Sequence, residues 1–336
     1  MTIILAILVF GLLILAHELG HFIVAKLVGI QIHEFSIGMG PAAYSTQRGE
    51  TKYSLRWFPV GGYNKMAGME PGDESNPRGF NSKSLLQRSA VIAAGSVMNF
   101  ILAIVLFIFL FAVIGIPSNA NIIGHVSPGS PAAEAGLQPG DKIIKIGDVE
   151  IQSWNDLVDV IHGKPGESLT LTLQRDEKVE KVGVVPHVDQ DRGVGIIGIR
   201  QSMERKGVFN SIFLGFSSTV KILAAILVSF VQMLTGKLSA DVAGPVGIVN
   251  ILGDVAQFGA ANVLNFTAIL SLNLGLINLF PIPALDGSRL IFLLVEGLRG
   301  KPLAPEKENL IHFIGFTALI LLMLLITYQD IIRLLG

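Results

Sequence analysis

The sequence predicts a membrane protein with a mainly α-helical transmembrane core of about four spans, an inserted α+β module and a membrane-associated β-hairpin loop. Three observations predict it. Of 336 residues, 51% are hydrophobic and only 15% charged, and the mean hydropathy is +0.60, a balance foreign to soluble domains. Four apolar segments, 3–25, 89–116, 262–281 and 309–328, are each long enough to cross about 30 Å of hydrocarbon. A polar stretch with turn glycines and alternating strands, 118–200, interrupts them. The chain therefore divides into 1–117, 118–200, 201–261 and 262–336.

Composition excludes some functions. Net charge is −1, so nothing points to nucleic acid. There is no cysteine, which rules out disulfides and thiolate metal ligands. Any zinc must be held by His, Asp or Glu.

The first span carries His17-Glu18-Leu19-Gly20-His21. Positions four apart share a helix face, so both imidazoles can grip one Zn²⁺. Glu18 lies about 100° around the helix from His17, in reach of a water at the metal. Three ionisable groups in an apolar run each cost at least about 2.5 kcal/mol, so they are expected to have a task. No basic region precedes Ile3 and no small-residue cleavage site ends the run, so the segment reads as a retained helix.

The loop 26–88 contains Tyr53-Ser-Leu-Arg-Trp-Phe-Pro-Val60, which alternates with period two, and then Gly61-Gly62, where the chain is expected to turn. It carries Lys26, Arg48, Lys52, Arg56, Lys65, Arg78, Lys83 and Arg88. That basic bias places the loop in the cytoplasm and the N-terminus outside. The second span then returns outward, which makes the 118–200 module extracytoplasmic.

Within that module, Ser127-Pro-Gly-Ser-Pro-Ala-Ala-Glu-Ala-Gly-Leu-Gln-Pro-Gly-Asp141 leads into the alternating run Lys142–Asp148. Trp154–His162 reads as a short amphipathic helix and Leu169–Arg175 as a strand. The module either binds peptide or acts as a spacer that restricts access. Segment 208–234 is ambiguous, because Lys221, Ser211, Ser217, Ser218 and Thr219 interrupt it. It is expected to lie on the outer surface or to re-enter.

Two histidines leave a catalytic zinc one ligand short. The best third donor is Asp286, in Asn278-Leu-Phe-Pro-Ile-Pro-Ala-Leu-Asp-Gly287, where Pro281 and Pro283 prevent a regular helix. Asp286 is also placed to cap a helix over 289–298; the unfilled coordination favours the ligand reading. It shares the depth of the histidines only if 208–234 does not cross.

At these residues the chain resembles the site-2 protease family of intramembrane zinc metalloproteases, in its bacterial regulator of sigma-E protease branch. The matching positions are His17, Glu18 and His21; Asn278, Pro281, Pro283, Leu285, Asp286 and Gly287; and Gly244-Pro-Val-Gly-Ile248. Ser130-Pro-Ala-x-x-Ala-Gly-Leu-x-Pro-Gly-Asp141 resembles a bacterial PDZ signature. The resemblance implies one Zn²⁺ on His17, His21 and Asp286, with Glu18 as general base, in a bacterial inner-membrane protein whose active site lies near the cytoplasm. It implies cleavage of single-pass membrane proteins, such as anti-sigma factors and remnant signal peptides, after a first protease has acted. It also implies that the hairpin around Tyr53–Met66 dips into the bilayer and pairs with unwound substrate.

Two positions depart from the family pattern. Gly95-Ser-Val-Met-Asn99 lacks a proline, and Ser288 follows Leu-Asp-Gly where glycine is common. Asn99 and Asn278 are candidates to hydrogen-bond substrate or the tetrahedral oxyanion, or simply to bond between helices. With Gly61 and Gly62 they complete the candidate substrate-binding set. Two rival readings are a membrane scaffold or pseudoprotease and a zinc transporter. An intact Glu18 and Asp286 argue against the first, and the gathering of polar ligands near one depth argues against the second.

Overall fold

The computed structural model describes residues 1–69, 73, 76–190, 192–238 and 243–335. Parts of the expected 26–88 loop, the 118–200 module and segment 201–261 fall outside these residues. The helices are α1 (Thr2–Leu27), α2 (Leu85–Phe109), α3 (Pro131–Glu134), α4 (Trp154–His162), α5 (Val208–Leu234), α6 (Pro245–Gln257), α7 (Ala260–Leu279), α8 (Asp286–Arg299) and α9 (Pro305–Leu335). Two long strands, β1 (Ile32–Arg48) and β2 (Thr51–Met66), follow α1. The chain forms two compact units, Met1–Ile108 with Ser211–Gly336, and Phe109–Asn210.

In the first unit, α1 and α2 approach closely because Gly20 has no side chain; a Cβ there would lie 2.2 Å from the Ala94 carbonyl oxygen. Helix α1 stops before Gly29, whose φ of +75° suits glycine. The strands then pair, with the turn at Gly49-Glu50 and not at Gly61-Gly62 as the alternation suggests. Gly61, at φ +83°, instead bends β2 between two partners. Glu34–Ile37 is flanked on both sides, by Gly62–Lys65 and by Lys52–Leu55, so the hairpin curls into a small sheet. Phe22 of α1 packs edge-on against Phe35 and Tyr53, with centroids 5.0 and 5.9 Å away, and fixes that sheet to the helix.

Among the described residues, five helices are long and apolar enough to cross a membrane: α1, Leu85–Ile114, α5, α7 and Glu306–Arg333 of α9. The fifth, beyond the four expected, is α5, an unbroken 27-residue helix. Ser211, Gly215 and Thr219, four apart, lie buried on one stripe. Gly215 faces Ile104 and Ile108 of α2. At its other end Phe230 stacks on Phe280, with centroids 4.7 Å apart, just beyond α7.

The chain then returns to the other end of α1, where Gly253 lies against Thr2. Gly244 and Gly247 donate backbone N–H groups to buried Asp330 at 3.3 and 2.8 Å, which caps the first turn of α6. Helix α7 runs back from there towards the histidines. Asp286 reaches their level even though α5 is an unbroken helix. The condition that 208–234 must not cross is not required.

The second unit is an α+β domain. Its four-stranded antiparallel sheet runs in the order 149–150, 142–146, 169–175, 178–184. Leu157 and Ile161 of α4 join Ile143, Leu171 and Leu173 in its core. Ser153 and Asp156 form a capping box at the start of α4. Asp141, the last residue of the signature, is 1% exposed and holds Arg175 through two bonds of 2.7 and 2.6 Å.

Candidate metal centre and active site

His17 and His21 project from one face of α1, with rings edge to face and centroids 4.7 Å apart. Nδ1 of His21 donates to the Val91 carbonyl oxygen at 2.8 Å. That bond leaves the Nε2 lone pair free to ligate. Nδ1 of His17 lies 3.4 Å from the Asn99 amide. Gly95 makes room for both rings; a Cβ would sit 2.4 Å from His21 Nε2 and 2.7 Å from His17 Cε1. The missing proline in Gly95–Asn99 thus leaves intact the two residues that touch the histidines.

Asp286 arrives on a loop that cannot be helical. Pro281 and Pro283 break the helix after Leu279, and Ala284 is held at φ +77°. The Ala284 N–H donates to His312 Nδ1 at 3.1 Å. Gly315 of α9 admits Pro283, since a Cβ would lie 2.2 Å from it. Gly287 lets α8 start against the end of α7; a Cβ would lie 2.2 Å from the Phe280 carbonyl oxygen. These contacts seat Asp286 opposite the histidines.

Nε2 of His17, Nε2 of His21 and Oδ2 of Asp286 are mutually 3.2 Å apart. Ligand atoms about 2.0–2.2 Å from a tetrahedral zinc are separated by nearly that distance. Oδ2 of Asp286 is buried without a hydrogen-bond partner among the described residues. Three donor atoms that converge on one point suit a cation, so the three residues fit a metal ion.

Glu18 stands beside this triad. The Asn64 amide donates to its Oε2 at 2.6 Å and to its backbone oxygen at 2.9 Å. A cavity of about 570 Å³ opens onto the triad and Glu18. Gly62 and Asn278 line it, with Tyr63, Asn64, Arg289 and His312. Gly61 and Asn99 are not among its lining residues: Gly61 contacts Met39, and Asn99 is fully buried behind His17. Asn64, His312 and Gly315 were not legible as site residues. Asn64 lies on an alternating strand and His312 at the edge of an apolar run, where a polar residue is unremarked.

Residues 5–322 match the family model described as Peptidase family M50. The chain belongs to peptidase family M50. As an M50 member it is a membrane-embedded metallopeptidase of the site-2 protease type, with several apolar helices and an inserted α+β domain. Neither scaffold nor transporter describes it. It is 35% identical over 416 residues to the regulator of sigma-W protease RasP of Bacillus subtilis, covering 99% of each chain. It is 35% identical over 406 residues to zinc metalloprotease RasP of Geobacillus kaustophilus, covering 97% of this chain and 96% of that one. Against zinc metalloprotease RasP of Oceanobacillus iheyensis the identity is 33% over 421 residues, covering 99% of each. Among solved structures, the PDZ domain of an SdrC-like protein from Listeria monocytogenes is 26% identical, covering 25% of this chain and 88% of that one, with a TM-score of 0.22.

Proposed function

We propose that this M50 peptidase holds one zinc ion and cuts single-pass membrane proteins within or beside their membrane segment. The observation that carries the reading is the triangle of His17, His21 and Asp286 donor atoms, 3.2 Å on each side, with Glu18 next to it. Zinc, when bound there, supplies Lewis-acid polarisation of the peptide carbonyl and acidification of water. Glu18 takes the proton from the attacking water and passes it to the leaving amine. Asn278, on the cavity wall, is positioned to hydrogen-bond the reacting carbonyl. Asn99 lies behind His17; with its amide turned so that Oδ1 accepts from the Nδ1–H, it would hold the ring with the Nε2 lone pair towards the metal.

A helical peptide bond is shielded by its own hydrogen bonds, so the substrate must unwind. Gly62–Lys65 pairs with β1 on one side and borders the cavity with Gly62, Tyr63 and Asn64. An added substrate strand there would satisfy the freed backbone groups. The exposed apolar residues Met39, Tyr44, Leu55, Trp57 and Phe58 suit a hairpin that dips into lipid. The basic loop supports a cytoplasmic-side active site and an extracytoplasmic PDZ-like domain, in a bacterial cell membrane. Anti-sigma factors and remnant signal peptides are the substrate classes we infer; the name of the Bacillus subtilis relative supports the first.

The test is cleavage of a single-pass reporter in detergent, with zinc measured on the same samples. Glu18→Gln should keep zinc and lose cleavage, and His17→Ala should lose both. Normal cutting by Glu18→Gln would remove Glu18 as the base.

A further inference from the structure

We propose that Asn64 is a positioning residue for Glu18, tying the general base to the strand that borders the cleavage cavity. It rests on the function proposed above and deepens it. Both partners of the Asn64 amide are acceptors, so the nitrogen must be the atom that faces them. One NH₂ group grips the Glu18 carboxylate at 2.6 Å and the Glu18 carbonyl at 2.9 Å. The side chain of Glu18 is thereby fixed relative to its own helix backbone.

The grip comes from the sheet and not from α1. Residues i and i+2 of a strand share a face, and here both address Glu18. Gly62 does so by lacking a side chain, since a Cβ would sit 3.0 Å from Glu18 Cγ. Asn64 does so through its amide. Placing the strand and placing the base are therefore one event, and a substrate strand that orders Gly62–Lys65 also orders Glu18.

Packing does not explain the residue. Oδ1 of Asn64 is buried with no partner among the described residues. A leucine of similar shape would leave no such orphaned acceptor, although it would remove the donor to Glu18. Asparagine at this position trades packing for orientation.

The experiment uses the full chain in detergent, with a single-pass reporter that the unmodified protein cleaves. For Asn64→Leu we expect kcat to fall at least tenfold, a part of the roughly 10²–10⁴ that a placed general base contributes. KM should stay within twofold and zinc content should be unchanged. Asn64→Ala provides the same test if the leucine variant does not fold. Unchanged kcat, a rise in KM alone, or loss of zinc would each overturn the proposal. Glu18→Gln runs alongside: activity in that variant would defeat the function proposed above, whereas undiminished kcat in Asn64→Leu with an inert Glu18→Gln defeats only the role of Asn64.

Discussion

Gly95 of α2 lies directly against the ring of His21, so close that a Cβ would fall 2.4 Å from Nε2. Nε2 of His21 and Cε1 of His17 are thus seated against bare backbone. Gly95→Ala should force the rings aside, cost about 1–3 kcal/mol as overpacking, and lower zinc content. Thermal unfolding and metal analysis of one preparation check both effects. Full zinc occupancy in the variant would show that the rings have room.

Asn99→Leu should leave the fold intact and weaken the metal. Asn99 is buried and contacts only the outer nitrogen of His17 in the triad. Loss of such a supporting contact typically costs 10–100-fold in metal affinity. Competition with a graded chelator measures it.

In the inserted domain, Arg175→Leu should destabilise by about 1–3 kcal/mol, because buried Asp141 would keep only the Gln138 N–H. The double change Asp141→Leu with Arg175→Leu should recover much of that loss. Local melting of the domain, followed by proteolysis, reports it.

Acid should loosen the hairpin. Burial pushes the Glu34 carboxyl up, but hydrogen bonds from Ser54, Arg56 and Tyr63 outweigh it and hold its pKa below the usual value. A depressed folded pKa means that the contribution is present above the ordinary carboxylate pKa of about 4.3 and is lost as pH falls through the folded one. Protease nicking between β1 and β2 should therefore rise below about pH 4 in the native protein. Glu34→Gln should nick at similar rates across that range.

Much of the candidate site was legible in the chain alone. His17, Glu18 and His21 are neighbours on one helix, so their shared chemistry is a matter of local periodicity. Asp286 is legible through the coordination that two histidines leave open. The strand character of Tyr53–Val60 is also legible, but the alternation followed by a glycine pair puts the turn at Gly61-Gly62. A glycine pair signals a bend equally whether the chain reverses or changes partner, and only the pairing with Glu34–Ile37 distinguishes the two.

Residues that act across the fold were hidden. Asp330 reads as a tail residue until α6 is seen to start beneath it. His312 reads as the edge of a span until it holds the Ala284 N–H. Lys221 and the neighbouring serines made 208–234 look like a surface segment, yet their place on a continuous helix depends on which face meets α2. Composition, spans and the His-Glu-x-x-His motif follow from short-range order, since helix period and hydropathy are properties of consecutive residues. The pairing of Asn64 with Glu18, of Gly95 with His21 and of Asp286 with both histidines was decided only by packing. No local rule specifies which polar atoms meet when separate helices and strands close on one another.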